Sequence, residues 1–416
     1  MPSVCRILAG AQGFRLQQRF ALKLVQGDVD IAEWNDITGN FDIVYCYGLL
    51  DHLNDPDPAL SGYSRQFQRR ELANLGAIST CGRRTWSRGR ITIGHGFHRS
   101  PNEKSMHFNI VTPVFNGEKF LDQSILSVVS QAGPFTIRYH VQDGGSKDRT
   151  LEILAAWKSR LARDFPVFCE GIEFSFASAP DRGLYEAVNR GFAACAYAHA
   201  DAMAWIGFDD RFEPGAFATV GEIFRDFPDI DWLTGRTTVI SEAGPMLCMP
   251  PPIYAFPRKA IAAGIFDGRF VTHCIEQEAT FWRPRLWQKA GGVDPNFRIA
   301  GDFDLWRRFA RQTDLVSVDA ILGCFRVRAG QLSEDVAGFR AEIDASLSPA
   351  EIETRDKAAK RYARAGFDYR VLVRYYGGPW LCQRWPMCIA PIFGTKAFKV
   401  EHWRLSVMTR FVRARS

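Results

Sequence analysis

Asp209 and Asp210 close an apolar run, Ala202-Met203-Ala204-Trp205-Ile206-Gly207-Phe208, and two adjacent carboxylates at the mouth of a buried strand call for a chemical reason. A divalent cation is one such reason. Mg²⁺ or Mn²⁺ is usually held by one or two carboxylates together with substrate phosphates, so this site would take a diphosphate-bearing ligand. The other reading is an Asx turn leading into Arg211-Phe212-Glu213-Pro214-Gly215, which needs only one of the two acids. Adjacency alone does not choose between them.

The elements that must position these acids follow from the pattern of apolar residues. From Phe108 onward, strand-like and helix-like segments alternate, which argues for a parallel sheet with crossover helices. Phe108-Asn109-Ile110-Val111-Thr112 reads as a strand broken by Pro113. Glu118 to Gln131 carries a helical face at Phe120, Leu121, Ile125, Val128 and Val129. Ile137 to Val141 is the next strand. It stops at Asp143-Gly144-Gly145-Ser146, where two glycines permit a tight turn and Ser146 can cap the helix through Leu151, Ile153, Leu154 and Trp157. Phe174-Ser175-Phe176 precedes Ala179-Pro180-Asp181-Arg182-Gly183, Leu184 to Ala198 is helical, and Ala202 to Phe208 is the fourth strand. Ligands of open α/β sheets bind beyond the carboxyl ends of the strands. Those ends carry Thr112-Pro113, Asp143, Asp181 and Asp209. Their recurrence favours a ligand site over an isolated turn.

Composition sets the bounds. At 416 residues, 46% apolar and 24% charged, the chain has the makings of a large soluble domain with appendages, or of two domains. Its ten cysteines are scattered without paired zinc-type spacing, the usage of free thiols in a reducing compartment. No charge-free run long enough to span a bilayer occurs, so a cytoplasmic location with at most peripheral membrane contact is expected. The net charge of +6 is concentrated between Gly62 and Ser105, where nine basic residues face only Glu71 and Glu103. That segment reads as a solvated linker, with anionic membrane contact as the other option. It lacks the folded basic face interleaved with aromatics that nucleic-acid binding needs, so no nucleic-acid partner is expected.

The ordered series of motifs from Asn109 to about Arg328 resembles the family 2 glycosyltransferases, inverting enzymes of the GT-A nucleotide-diphospho-sugar transferase fold. Val111-Thr112-Pro113-Val114-Phe115-Asn116-Gly117 resembles the family's opening strand and loop, and Val141-Gln142-Asp143-Gly144-Gly145-Ser146-Lys147-Asp148-Arg149-Thr150 its second. Ala179-Pro180-Asp181-Arg182-Gly183-Leu184-Tyr185-Glu186-Ala187-Val188-Asn189-Arg190-Gly191 is the most specific stretch. The metal triplet falls on Gly207-Phe208-Asp209, the acceptor side on Gln277-Glu278-Ala279-Thr280-Phe281-Trp282, and the catalytic-base segment on Gly291 to Asp294 and Ala300 to Trp306.

The resemblance implies a nucleotide-sugar donor, with a UDP-sugar expected, and a saccharide or lipid-linked saccharide acceptor in surface polysaccharide or cell-envelope glycan assembly. Asp143 would contact the uracil or ribose, with Thr112, Pro113 and Phe115 lining the base pocket. Asp181, with Arg182, would add a second nucleoside contact. Turn stabilisation is the alternative for Asp143, and an Asx turn or helix cap for Asp181. Asp209 would hold Mg²⁺ or Mn²⁺ to neutralise charge on the departing phosphates, with Asp210 behind it or in the turn. For the base, Asp302 and Asp304 compete. Two residues apart on a helix they point about 200° from each other, so only one faces the donor. Asp304 has Arg308 at i+4, whereas Asp302 follows Ala300-Gly301, where backbone can approach a ligand closely, and the family's motif also selects Asp302. A helix N-cap is its structural alternative. On the acceptor side Gln277, Glu278 and Trp282, with Trp287 and Trp306, could form a sugar platform, although aromatics at this density also suit a core. His273 is either a contact or a satisfied structural histidine. Gly207, where the family often has an acid or an asparagine, also permits a catalytically inactive, nucleotide-binding relative.

Two flanking pieces complete the reading. Residues 1–61, with a strand over Phe41-Asp42-Ile43-Val44-Tyr45-Cys46, resemble the later half of a Rossmann-like methyltransferase without its glycine-rich turn, and are expected to be a truncated remnant or docking appendage. Residues 62–105 form the basic linker, 106–345 the catalytic domain, and 346–416 a helical tail. Its apolar stretch Val371 to Phe393 and basic end could lie on a membrane. Gln383-Arg384-Trp385 resembles the processive synthases' signature only superficially.

Overall fold

The computed structural model describes residues 105–386 apart from 196–198, 249–252, 272, 365 and 375–377, together with six short strands in the first 96 residues. The chain divides into two units, Met1–Gly96 and Phe97–Ser416. In the first, Val4–Cys5 pairs with Phe20–Ala21, Lys23–Val25 with Asp28–Asp30, and Thr85–Ser87 with Arg90–Thr92. The strand expected at residues 41–46, the methyltransferase-like character of residues 1–61, nearly all of the basic linker and the tail beyond Pro386 lie outside the described residues.

The second unit is built on one sheet. Strand β1 (Met106–Val114) is buried along its length except at His107, as suits a strand of a parallel sheet covered on both faces. It runs through Pro113 rather than breaking there, with Pro113 at the strand's end opposite Gln142. Helix α1 (Leu121–Val129) leads to β2 (Gly133–Asp143), α2 (Thr150–Arg163), β3 (Cys169–Ser178), α3 (Leu184–Ala194) and β4 (Ala202–Trp205). Next come β5 (Arg211–Phe212), α4 (Ala216–Asp226), β6 (Trp232–Ser241), β7 (Met246–Cys248) and α5 (Arg258–Ala263). A 3₁₀ turn over Gln277–Ala279 enters β8 (Thr280–Trp282), followed by α6 (Pro284–Ala290), α7 (Gly301–Ala310) and β9 (Val316–Val327).

The sheet order is completed by α8 (Val336–Ser346), α9 (Pro349–Ala363), β10 (Asp368–Val373) and β11 (Leu381–Pro386), giving β11-β10-β9-β6-β8-β4-β1-β2-β3. It is mainly parallel. The exceptions along this path are β8, antiparallel to both β4 and β6, and β11 against β10. The expected helical tail is therefore helical over Pro349–Ala363 and then returns to the sheet. The described part of its apolar stretch is core, since Tyr369, Val371, Val373 and Trp385 pack with Ile253 and Ala255. No helix among the described residues is long and apolar enough to cross a membrane.

An aromatic cluster fixes α7 to the sheet. Trp306 stacks on Trp205 of β4 at 5.8 Å and packs against Trp232 of β6 and Trp282 of β8, while Phe309 abuts Trp232 and Trp282. Rings of this size dominate the energetics of a core, and here they set the height of the first turn of α7, where Asp302 lies.

Candidate active site

The carboxyl ends of β1, β2, β4 and β9 are laced into one mouth. Asn116, in the left-handed region at φ 49°, donates its N–H to Ser146 Oγ at 2.7 Å and accepts the Lys147 N–H on Oδ1 at 2.9 Å. Ser146 therefore ties two loops together and does not cap the following helix. Thr150 begins that helix, with Asp148 receiving its N–H and hydroxyl. Arg326, 1% exposed, donates to the Asp209 carbonyl, the Ser241 and Glu242 carbonyls and Gln123 Oε1, and its N–H goes to Asp210 Oδ1.

The expected nucleoside contacts divide. Thr112 does not line an open pocket: it is buried, with Oγ1 2.9 Å from Tyr139 Oη, and Pro113 beside it is buried too. Asp143 is wholly buried and accepts from the Gly145 and Ser146 amides and the Ser146 and Ser178 hydroxyls. Its lone pairs are taken by the turn, which was the alternative reading. Asp181 Oδ1 accepts the Gly183 N–H at 3.0 Å, an Asx turn ahead of α3, and burial raises its pKa. Arg182 is drawn back along α3 by Glu186, at 2.9 Å. Arg182 is exposed as well, and Phe115, 58% exposed where β1 ends, offers a face on which a base can stack.

At the end of β4 the two acids are unequal. Asp210 is buried, and burial first, then the charge of Asp209, hold its carboxyl well above the usual range. Asp209 pairs instead with Arg328 Nε, 2.5 Å from Oδ2, both side chains mostly buried. Gly207 leaves room for both acids. A Cβ at that position would meet Asp210 Oδ2 at 2.7 Å and Asp209 Oδ1 at 3.0 Å, so the space an acid would need is filled by the two acids that follow. These groups do not fit the expected divalent cation. Its one available carboxylate is already neutralised by a guanidinium.

Asp302 and Asp304 have different surroundings. Asp304 pairs with Arg308 at 2.8 Å, and Arg308 also donates to the Gly292 carbonyl at 2.7 Å. Asp302 is not an N-cap, since Ala300 holds that position. It accepts the Phe303 N–H at 2.8 Å and the Tyr185 hydroxyl at 3.2 Å. Burial pushes its pKa up to about 6, restrained by those two donors. Gly301 makes the contact with Tyr185: a Cβ there would come within 2.7 Å of the tyrosine ring. Glu276 lies near, its pKa raised by burial and then by the charge of Asp302. Tyr185, Glu276 and Arg328 had not been singled out individually from sequence. Tyr185 is visible in the sequence only as a member of the Ala179-to-Gly191 stretch.

The acceptor platform is core instead. Trp282 is fully buried within the tryptophan cluster, with Trp287 and Trp306 at most 3% exposed. Gln277 Nε2 is committed to the Trp205 carbonyl, and Glu278 is 4% exposed with Oε1 unpartnered among the described residues. His273 is structural, stacked on Tyr254 at 4.0 Å, and burial lowers its pKa to about 4.

A mainly parallel sheet with acids and a guanidinium at its strand ends and a desolvated carboxyl on a facing helix defines an α/β protein built for chemistry at that edge. Comparison with known proteins places it more closely: the glycosyl transferase family 2 model matches residues 109–244. An uncharacterized glycosyltransferase of Rickettsia prowazekii (strain Madrid E) is 22% identical over 226 residues, covering 54% of this chain and 64% of that protein, less than two thirds of its length. An uncharacterized glycosyltransferase of Mycobacterium tuberculosis (strain CDC 1551 / Oshkosh) is 27% identical over 220 residues, covering 51% of this chain and 72% of that protein. Among solved structures, S. aureus TarS 1-349 in complex with UDP-GlcNAc matches with TM-score 0.45 and 14% identity over 62% of this chain and 72% of that one. The mannosyltransferase PcManGT from Pyrobaculum calidifontis, in complex with GDP-Man and Mn2+, matches with TM-score 0.41 and 13% identity over 63% and 71%.

Proposed function

We propose that this chain is an inverting glycosyltransferase that moves a sugar from a nucleotide-sugar donor, a UDP-sugar, to a saccharide or lipid-linked saccharide acceptor in surface polysaccharide or cell-envelope glycan assembly. The observation that carries it is Asp302. Among the described residues it is the carboxylate of its helix without a cationic partner, and burial pushes its pKa up to about 6, close to that of an effective base near neutrality. In the proposed step Asp302 takes the proton of the acceptor hydroxyl as that oxygen attacks the anomeric carbon. The bond from that carbon to the phosphate oxygen breaks on the opposite face, and its electron pair leaves with the diphosphate. Phe115 receives the nucleobase, Tyr185 steadies the base, and the acceptor enters over Asp302 and Glu276.

The test is a donor screen that reads nucleotide release, run on the full chain and on Asp302→Asn. At least one UDP-sugar should turn over, and the substitution should lower the rate by about 10²–10⁴-fold with nucleotide affinity nearly intact. Nucleotide binding with no turnover on any donor would leave a binding protein, and transfer retained in Asp302→Asn would remove the base.

A further inference from the structure

With Asp209 paired to a guanidinium, the end of β4 offers a departing diphosphate a cation other than a metal. Both arginines of the Arg326-Val327-Arg328 end of β9 point at the end of β4, but they differ in what they have left to give. Arg326 is spent: its Nε, Nη1 and Nη2 all bond to carbonyls or to Gln123. Arg328 holds Asp209 through Nε, reaches the Ala329 carbonyl through Nη1 at a long 3.3 Å, and among the described residues has no hydrogen-bond partner at Nη2. Its side chain is 19% exposed, and its guanidinium lies 5.4 Å from the Phe208 ring centroid and 5.7 Å from that of Phe120. Two rings and a carboxylate therefore hold it with one donor edge unfilled. A planar guanidinium suits phosphate oxygens well, because it offers paired donors in a fixed fork.

We propose that Arg328 is the cation of the leaving group: it binds the diphosphate through its free edge, with Asp209 as the residue that positions it. The inference rests on the glycosyl-transfer reading. As the bond to the sugar breaks, the electron pair passes to the phosphate oxygen and Arg328 hydrogen-bonds the charge that develops. Asp209 then acts through Arg328 and not as a metal ligand.

The experiment is titration calorimetry of UDP, GDP and UMP into the full chain, with chelator and separately with Mn²⁺, on the natural protein and on Arg328→Met, Arg328→Lys and Asp209→Asn. UDP should bind in chelator, and Mn²⁺ should change its affinity little. Arg328→Met should weaken UDP by about tenfold or more, the scale of a lost charge-assisted hydrogen bond, while UMP changes less, and Arg328→Lys should recover part of the loss. Thermal melting of each variant shows whether the fold is intact, and the lysine variant keeps the charge if the methionine variant is unstable. UDP binding that appears only with Mn²⁺, is lost in Asp209→Asn and is indifferent to Arg328→Met would overturn the proposal while leaving the glycosyl-transfer reading in place. Failure of any nucleoside diphosphate to bind under either condition would instead remove that reading.

Discussion

Replacing Tyr185 by phenylalanine removes a single hydrogen bond from the candidate base, and its effect has a calculable sign. The Tyr185 hydroxyl donates to Asp302 Oδ1 at 3.2 Å, and that bond favours the ionised carboxylate. Without it the carboxyl holds its proton more tightly, so its pKa rises above about 6. A hydrogen bond to a charged group is worth about 1.5–3 kcal/mol, and the length of this one argues for the low end. Since one pKa unit corresponds to about 1.4 kcal/mol, the shift should be about one unit. The acid limb of the rate profile moves up by that amount, and at neutral pH the ionised fraction falls from about nine tenths to about half. The assay is initial nucleotide release against pH at saturating donor, comparing Tyr185→Phe with the natural chain. A uniform loss at every pH with an unmoved acid limb would show that Tyr185 acts by packing alone. An acid limb absent from the natural chain would refute the assignment of Asp302.

Gly207→Ala places a methyl group 2.7 Å from Asp210 Oδ2, and overpacking of this kind should cost about 1–3 kcal/mol in thermal or denaturant unfolding. Trp306→Ala removes the ring stacked on Trp205 and should destabilise the fold by about 3–5 kcal/mol, with transfer falling further than the folded fraction because the first turn of α7 loses its seat. Phe115→Ala should leave the melting temperature unchanged, since the ring is exposed, but weaken nucleotide binding by about 1–3 kcal/mol if a base stacks there.

The order of strands and helices through β4 was readable because each short apolar run is bounded by glycine, proline or acid, and the period changes sharply between them. Boundaries were less readable. Pro113 sits within β1 because a strand end can spare its N–H, and Ser146 serves loop-to-loop contacts that no local pattern encodes. In the site, the pairing of Asp304 with Arg308 was legible from the i,i+4 spacing, a relation contained within one helix. The other differences between expectation and structure share a cause. Whether Asp209 faces a metal or an arginine depends on β9, more than a hundred residues away along the chain. Whether Trp282 faces a sugar or a core depends on β8 entering between β4 and β6, with α7 packed over it. Asp143 was found correctly at a strand end, but its neighbours, including Ser178 on the adjacent strand, consume the oxygens it was expected to offer.

The bonds of Arg326 bear on when the site comes into being. One guanidinium joins Gln123, Asp209 and Glu242 from a position at the end of β9, the first of these 203 residues distant in sequence. Contacts of such separation are made late, after the entropy of closing the intervening chain has been met. The matched domain segment, residues 109–244, contains neither Arg326 nor Asp302, so it carries one wall of the mouth without its closing strand. On the proposed function, nucleotide binding would report that the sheet has been threaded through to β9, and a nascent or clipped chain that stops short would hold the motifs without the completed mouth.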